Sequence, residues 1–308
     1  MRGYGRPVLW MAVGISAVAL LGGTRRAQSQ SPAAPGATWT YVGSARCAEC
    51  HPDVTQTFAA TEMGRILLKA PRNAIERRGC ESCHGPGSAH VQEQTPDSIA
   101  SFGPHWRNRS VKEMNAQCRQ CHTKGEELFW QGSTHQRRNV ACAKCHVVMR
   151  EASDDYQLSK PTQPETCGQC HRIRKAQLLR SSHMPLREGK MTCGDCHNPH
   201  GSVGPKLVRG KSVNETCYRC HQDRRGPFLW EHPPVRESCD NCHEPHGSMQ
   251  DKLLKIRRER LCQTCHIENR HNTQPHPPFV RFNINRSCQN CHINIHGSNH
   301  PSGELFMR

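Results

Sequence analysis

Aromatic residues make up only 5% of this 308-residue sequence, and hydrophobic residues of every kind only 34%, cysteines included. Soluble domains typically carry about 45–50% apolar residues, glycine counted. Such a chain cannot bury enough of its own side chains to offset the entropy of ordering. Two outcomes remain: disorder, or a core imported as prosthetic groups. No cysteine stands alone either, which excludes a disulfide framework with a spare thiol. No apolar run reaches the roughly 20 residues that a membrane-spanning helix needs. The longest, Val8 to Leu21, follows Arg2 and Arg6 and covers 14 residues. It reads as the core of an export signal within residues 1–27, followed by a Ser/Pro/Ala/Gln-rich linker over 28–40. An uncleaved anchor is the alternative, because Arg25 and Arg26 follow the apolar run and no clean Ala-x-Ala marks a cleavage site.

What the chain does have is 20 Cys and 21 His. Every cysteine belongs to a Cys-x-x-Cys-His pentad, ten in all. The cysteine pairs are Cys47/Cys50, Cys80/Cys83, Cys118/Cys121, Cys142/Cys145, Cys167/Cys170, Cys193/Cys196, Cys217/Cys220, Cys239/Cys242, Cys262/Cys265 and Cys288/Cys291. The histidines that follow them are His51, His84, His122, His146, His171, His197, His221, His243, His266 and His292. This is the attachment signature of c-type haem: two thiols form thioethers and the imidazole takes one axial position on the iron. Zinc is the competing use of Cys-x-x-Cys pairs, but ten of ten pairs with an adjacent histidine behind an export signal argue for haem, and a disulfide framework leaves the histidine unexplained. Ten haem c groups are therefore expected. Their propionates would contribute about −20, against a formal protein charge of +16. The basic residues then neutralise propionates, and no nucleic-acid partner is expected.

The pentads recur in pairs. Alternate first cysteines (Cys47, Cys118, Cys167, Cys217, Cys262) are spaced by 71, 49, 50 and 45 residues, the mark of a repeat protein. Cys193-Gly-Asp-Cys-His-Asn-Pro-His-Gly-Ser and Cys239-Asp-Asn-Cys-His-Glu-Pro-His-Gly-Ser overlay directly. The expected fold class is a multihaem cytochrome c: short α-helices and irregular loops around covalent haems, elongated, with little or no β-structure. The haem domain spans 41–308 as five dihaem units, approximately 41–110, 111–160, 161–210, 211–256 and 257–308. Helix-start signals precede several pentads, among them Ser44, Asn214-Glu215-Thr216 and Pro164-Glu165-Thr166.

Eleven histidines remain for the second axial positions. Read against the repeat, His135, His183, His232 and either His271 or His276 fall between the two pentads of a unit. His90, His200, His246 and His296 fall shortly after a second pentad. Two such places hold methionine instead: Met63 between His51 and Cys80, and Met149 three residues after His146. A thioether is the other common axial ligand in c-type cytochromes and raises the potential; soft packing against a haem face is its ordinary alternative. His105 and His300 are the reserve ligands.

The chain resembles the periplasmic decahaem cytochromes of the MtrA, DmsE and PioA family. The likeness is carried by Tyr41-Val-Gly-Ser-Ala, Cys80-Glu-Ser-Cys-His-Gly-Pro, Ser212-Val-Asn-Glu-Thr-Cys-Tyr, Arg225-Gly-Pro, Leu229-Trp-Glu-His and the tail His296-Gly-Ser-Asn-His-Pro-Ser-Gly. The resemblance implies an electron conduit rather than an enzyme, located in the periplasm and associated with the outer membrane. It implies a β-barrel porin as partner, with periplasmic or inner-membrane cytochromes on one side and an outer-surface cytochrome or mineral on the other. It also favours His271 over His276, and bis-histidine ligation throughout, from which Met63 and Met149 depart. Alternatives are a multihaem reductase of a small oxyanion, which needs an open iron, and a soluble periplasmic shuttle. Electrons could flow outward to ferric mineral or inward from ferrous iron, and methionine ligation tilts the balance inward.

Overall fold

The computed structural model describes residues 39–102, 109–267 and 288–307. The signal and linker regions, His105, His271 and His276 lie outside them. Within the described residues the secondary structure is short helices and loops with no extended strand. The longest helix, Pro52–Ala60, has 9 residues, and β-pairing is confined to isolated bridges such as His197 with Val208 and His243 with Leu254. No helix among them is long and apolar enough to cross a membrane.

The ten pentads share one local fold. In each, the histidine N–H donates to the carbonyl of the first cysteine four residues back, at 2.9–3.1 Å. One helical turn therefore brings both thiols and the imidazole to the same side of the backbone. The turns are launched by side-chain caps: Ser110 and Thr162 form capping boxes with Glu113 and Glu165, and Ser212 accepts from the Glu215 N–H. Two expected caps do something else. Ser44 lies inside its helix, and its Oγ accepts from the Cys80 N–H at 3.1 Å, tying the first pentad to the second. Asn214 clamps two pentads: its amide donates to the Val235 and Arg236 carbonyls, and its oxygen accepts from the Cys239 N–H at 2.7 Å. Asn115 repeats this in an earlier unit, bonding the Val140 carbonyl and the Cys142 N–H.

The self-made core is meagre. Buried hydrophobic side chains among the described residues are Phe58, Leu67, Met114, Trp130, Leu158, Leu178, Val208 and three alanines. Leu229, Ile173 and Tyr156 are largely exposed. Polar clamps carry what hydrophobic packing does not. The Glu81 carboxylate, only 2% exposed, accepts from the backbone N–H groups of Val42, Gly43 and Gly87 at 2.8–3.2 Å. That links the Tyr41-Val-Gly segment before the first pentad to the second.

Candidate haem sites and their axial ligands

Eighteen of the 20 attachment cysteines form one unbroken series. First cysteines pair within a unit: Cys47 with Cys80, Cys118 with Cys142, Cys167 with Cys193, Cys217 with Cys239 and Cys262 with Cys288, each pair close enough for a thiol–thiol hydrogen bond. Second cysteines lie within electrostatic reach of each other across the gap to the next unit: Cys83 and Cys121, Cys145 and Cys170, Cys196 and Cys220, and Cys242 and Cys265. Burial first, then these neighbours, pushes the Cys145 thiol up to about 11.

Cys50 and Cys291 lie outside this series. Both are exposed, as are Cys121, Cys170, Cys220 and Cys265, but neither is brought against a cysteine of another pentad among the described residues. The reason lies in the alternation. A second cysteine meets its counterpart in the adjoining unit, and Cys50 belongs to the first pentad while Cys291 belongs to the last. Neither has such a counterpart in this chain. Their attachment role rests on the local turn alone, which is intact: the His51 N–H donates to the Cys47 carbonyl at 2.9 Å, and the His292 N–H to that of Cys288 at 3.0 Å. Among the described residues no three His, Cys, Asp or Glu side chains converge as a metal site.

Among the described residues, six pentad histidines face a second imidazole. His51 and His90 have ring centroids 6.2 Å apart, His146 and His200 6.1 Å, and His135 and His171 6.1 Å. His197 and His246 are 6.1 Å apart, His232 and His266 6.2 Å, and His243 and His296 6.3 Å. This spacing has a chemical meaning. Two metal–nitrogen bonds of about 2 Å, plus roughly 1 Å from each nitrogen to its ring centre, put two imidazoles on one iron about 6 Å apart. Five of the six pairs are within 13–21° of parallel, and His135–His171 is at 63°.

The other ring nitrogen is held by the protein. Nδ1 of His90, His135 and His232 sits 2.7–3.0 Å from the carbonyls of Thr95, Pro199 and Ile295. Nδ1 of His146, His197 and His243 likewise meets Tyr156, Lys206 and Lys252. A carbonyl can only accept, so Nδ1 carries the hydrogen and Nε2 keeps its lone pair for a metal. Burial, then Arg224 and His243, pulls the His296 pKa down to about 4, which favours the neutral, ligating form. Two guanidinium donors are buried without partners, Arg119 Nε and Arg258 Nε. Such orphans suit carboxylates that the chain itself does not supply, as haem propionates would be. The residues fit haem.

The remaining expected ligands are placed differently. His183 is not beside a pentad imidazole; its Nε2 lies 3.1 Å from Glu188 Oε1, and that hydrogen bond raises its pKa. His84 has Phe102 edge-on at 5.5 Å. His300 is turned into the local chain, its Nδ1 accepting from the Ser302 N–H. Met63 and Met149 are half-buried.

The comparisons with known proteins agree with this geometry. The family described as "Doubled CXXCH motif" matches residues 183–226 and 232–271, and "Cytochrome c-type protein NrfB-like" matches 80–170. The fold and sites thus define a multihaem c-type cytochrome, with ten haem c attached through its 20 cysteines. More specifically, the chain is 40% identical over 278 residues to a multihaem cytochrome MtrA of Shewanella baltica, covering 86% of this chain and 81% of that one. It belongs to the MtrA family and is an electron carrier. Weaker similarity extends to the polyhaem cytochrome OmcB of Geobacter sulfurreducens, 28% identical over 37% of this chain and 18% of that one. A high-molecular-weight cytochrome c of Nitratidesulfovibrio vulgaris is 21% identical over 71% of this chain and 38% of that protein.

Proposed function

We propose that this chain is the periplasmic element of a porin–cytochrome conduit. It lodges in an outer-membrane β-barrel and passes electrons between periplasmic or inner-membrane carriers and an outer-surface cytochrome or mineral. The observation that carries the reading is the unbroken alternation of neighbouring attachment cysteines from Cys47 to Cys288, which leaves no gap in the series. The similarity to MtrA supports the porin partner and the outer-membrane location.

Bound haem c supplies a one-electron ferric/ferrous couple. The residues of the chain decide that it is used for transfer alone. The cysteines would fix each group covalently, and the paired histidines would hold the iron against substrate. The carbonyls on Nδ1 hold each ring's tautomer and orientation. The arginines offset propionate charge, which relieves the self-repulsion of a densely loaded chain.

Co-reconstitution of the holoprotein with its porin in liposomes loaded with a reduced dye is the direct test. Reduction of an external ferric complex, dependent on both proteins, is expected. A holoprotein that stays free of the porin, with no transmembrane reduction, would instead make it a soluble shuttle.

A further inference from the structure

Distal ligands cross between neighbouring dihaem units, and they do so in both directions. A histidine between the two pentads of one unit faces the first pentad histidine of the next unit: His135 faces His171, and His232 faces His266. In units three to five a histidine after a second pentad faces back to the second pentad histidine of the preceding unit, whereas His90 in unit one faces His51 of its own unit. His200 faces His146, His246 faces His197, and His296 faces His243. The two crossing segments are held together at each junction. His135 Nδ1 meets the carbonyl of Pro199, the residue before His200, and His232 Nδ1 meets that of Ile295, the residue before His296. At the junction of units three and four, Ser182 and Ser248 exchange a pair of backbone hydrogen bonds of 3.0 and 2.7 Å.

The junction of units one and two has methionine at both crossing positions. Met63 lies between the pentads of unit one, and Met149 follows the second pentad of unit two. Their segments also meet: Arg65 Nη1 lies 4.0 Å from Glu151 Oε1, and each residue is two beyond its methionine. One local feature differs. Gly201, Gly247 and Gly297, which follow the crossing histidines, have φ of 127°, 136° and 131° and press against the neighbouring unit. Arg150 takes that place here, so an ion pair joins the segments where the other junctions use the close approach of a glycine.

We propose that Met63 is the distal ligand of the haem anchored at His122, and Met149 that of the haem anchored at His84. The exchange rule leaves these two irons to these two thioethers, and no second imidazole faces His84 or His122 among the described residues. The two haems are consecutive, since Cys83 and Cys121 are neighbours across the junction. Thioether ligation raises the potential of each above that of its bis-histidine neighbours. The chain therefore carries, near its N-terminal end, an adjacent pair of haems that fill with electrons first and empty last. The inference holds whether or not the chain sits in a porin.

Near-infrared magnetic circular dichroism of the oxidised holoprotein resolves histidine–methionine from bis-histidine haems. Both signatures are expected, with methionine ligation at two haems. M63H and M149H should each convert one haem to the bis-histidine signature and lower one midpoint in a potentiometric titration. M149A, reduced and treated with carbon monoxide, should carry the gas in its crystal structure on the iron at His84, and M63A on that at His122. A wild-type spectrum with bis-histidine haems alone overturns the proposal. So does a methionine signature that survives both histidine substitutions, or carbon monoxide found on other irons.

Discussion

Replacing Gly247 with alanine should strip one haem of its distal ligand. Gly247 has a φ of 136°, and an added Cβ would lie 2.0 Å from the Gln177 carbonyl oxygen and 2.7 Å from its carbon. Real Cβ atoms essentially never come closer than 3.0 Å, so the two segments must part by about 1 Å. Both are backbone, and no rotamer can absorb the clash. The strained dihedral adds about 1–3 kcal/mol for a non-glycine residue. His246 directly precedes Gly247 and faces His197 at 6.1 Å, while ligand distances tolerate only about 0.2 Å. The displacement is several times that tolerance, so His246 leaves the iron at His197. In the absorption spectrum a high-spin ferric band should appear, and the reduced protein should bind carbon monoxide at that one haem. Gly189→Ala is the control, because its φ is 67° and nothing lies within 4 Å of the added carbon. It imposes strain without displacement and should stay low-spin. A G247A protein that stays entirely low-spin and takes up no carbon monoxide would refute the reasoning.

Further outcomes follow from the clamps and from one ion pair. Glu81→Ala orphans three backbone N–H groups in a buried site and should cost about 3 kcal/mol; hydrogen exchange at Val42, Gly43 and Gly87 should quicken about a hundredfold. Asn214→Ala frees the Cys239 N–H and the Val235 carbonyl, at a cost of about 2 kcal/mol, and the Cys239 amide should exchange faster while the haem spectrum is unchanged. His183 Nε2 donates to Glu188, and that hydrogen bond raises the His183 pKa. E188Q should therefore shift the titration of His183 to lower pH, and a pH titration of its ring resonances in both proteins checks the sign.

Much of the chemistry was legible because pentads are contiguous in sequence. The ten attachment sites, the short helices and the pairing of pentads need only local spacing, and the first cysteines do meet in pairs. The different surroundings of Cys50 and Cys291 were not legible, since their pentads read like the other eight and only the folded series separates them. Which iron a distal histidine serves was hidden too. His135 is 13 residues past His122 and 11 before His146, yet it faces His171, because ligands are traded across junctions that only the folded chain creates. Two cap signals failed for the same reason. Ser44 and Asn214 have the right composition for caps, but a longer-range backbone donor claims each. Gly201, Gly247 and Gly297 read as loop residues, while their role is close approach to a neighbouring unit.

Carbon monoxide titration of the fully reduced wild-type holoprotein tests the closed-wire account most directly. Every iron should keep two protein ligands, so rapid mixing should leave the Soret band unchanged. Prompt, stoichiometric binding at any haem would show an open iron, and with it a site where substrate chemistry could occur.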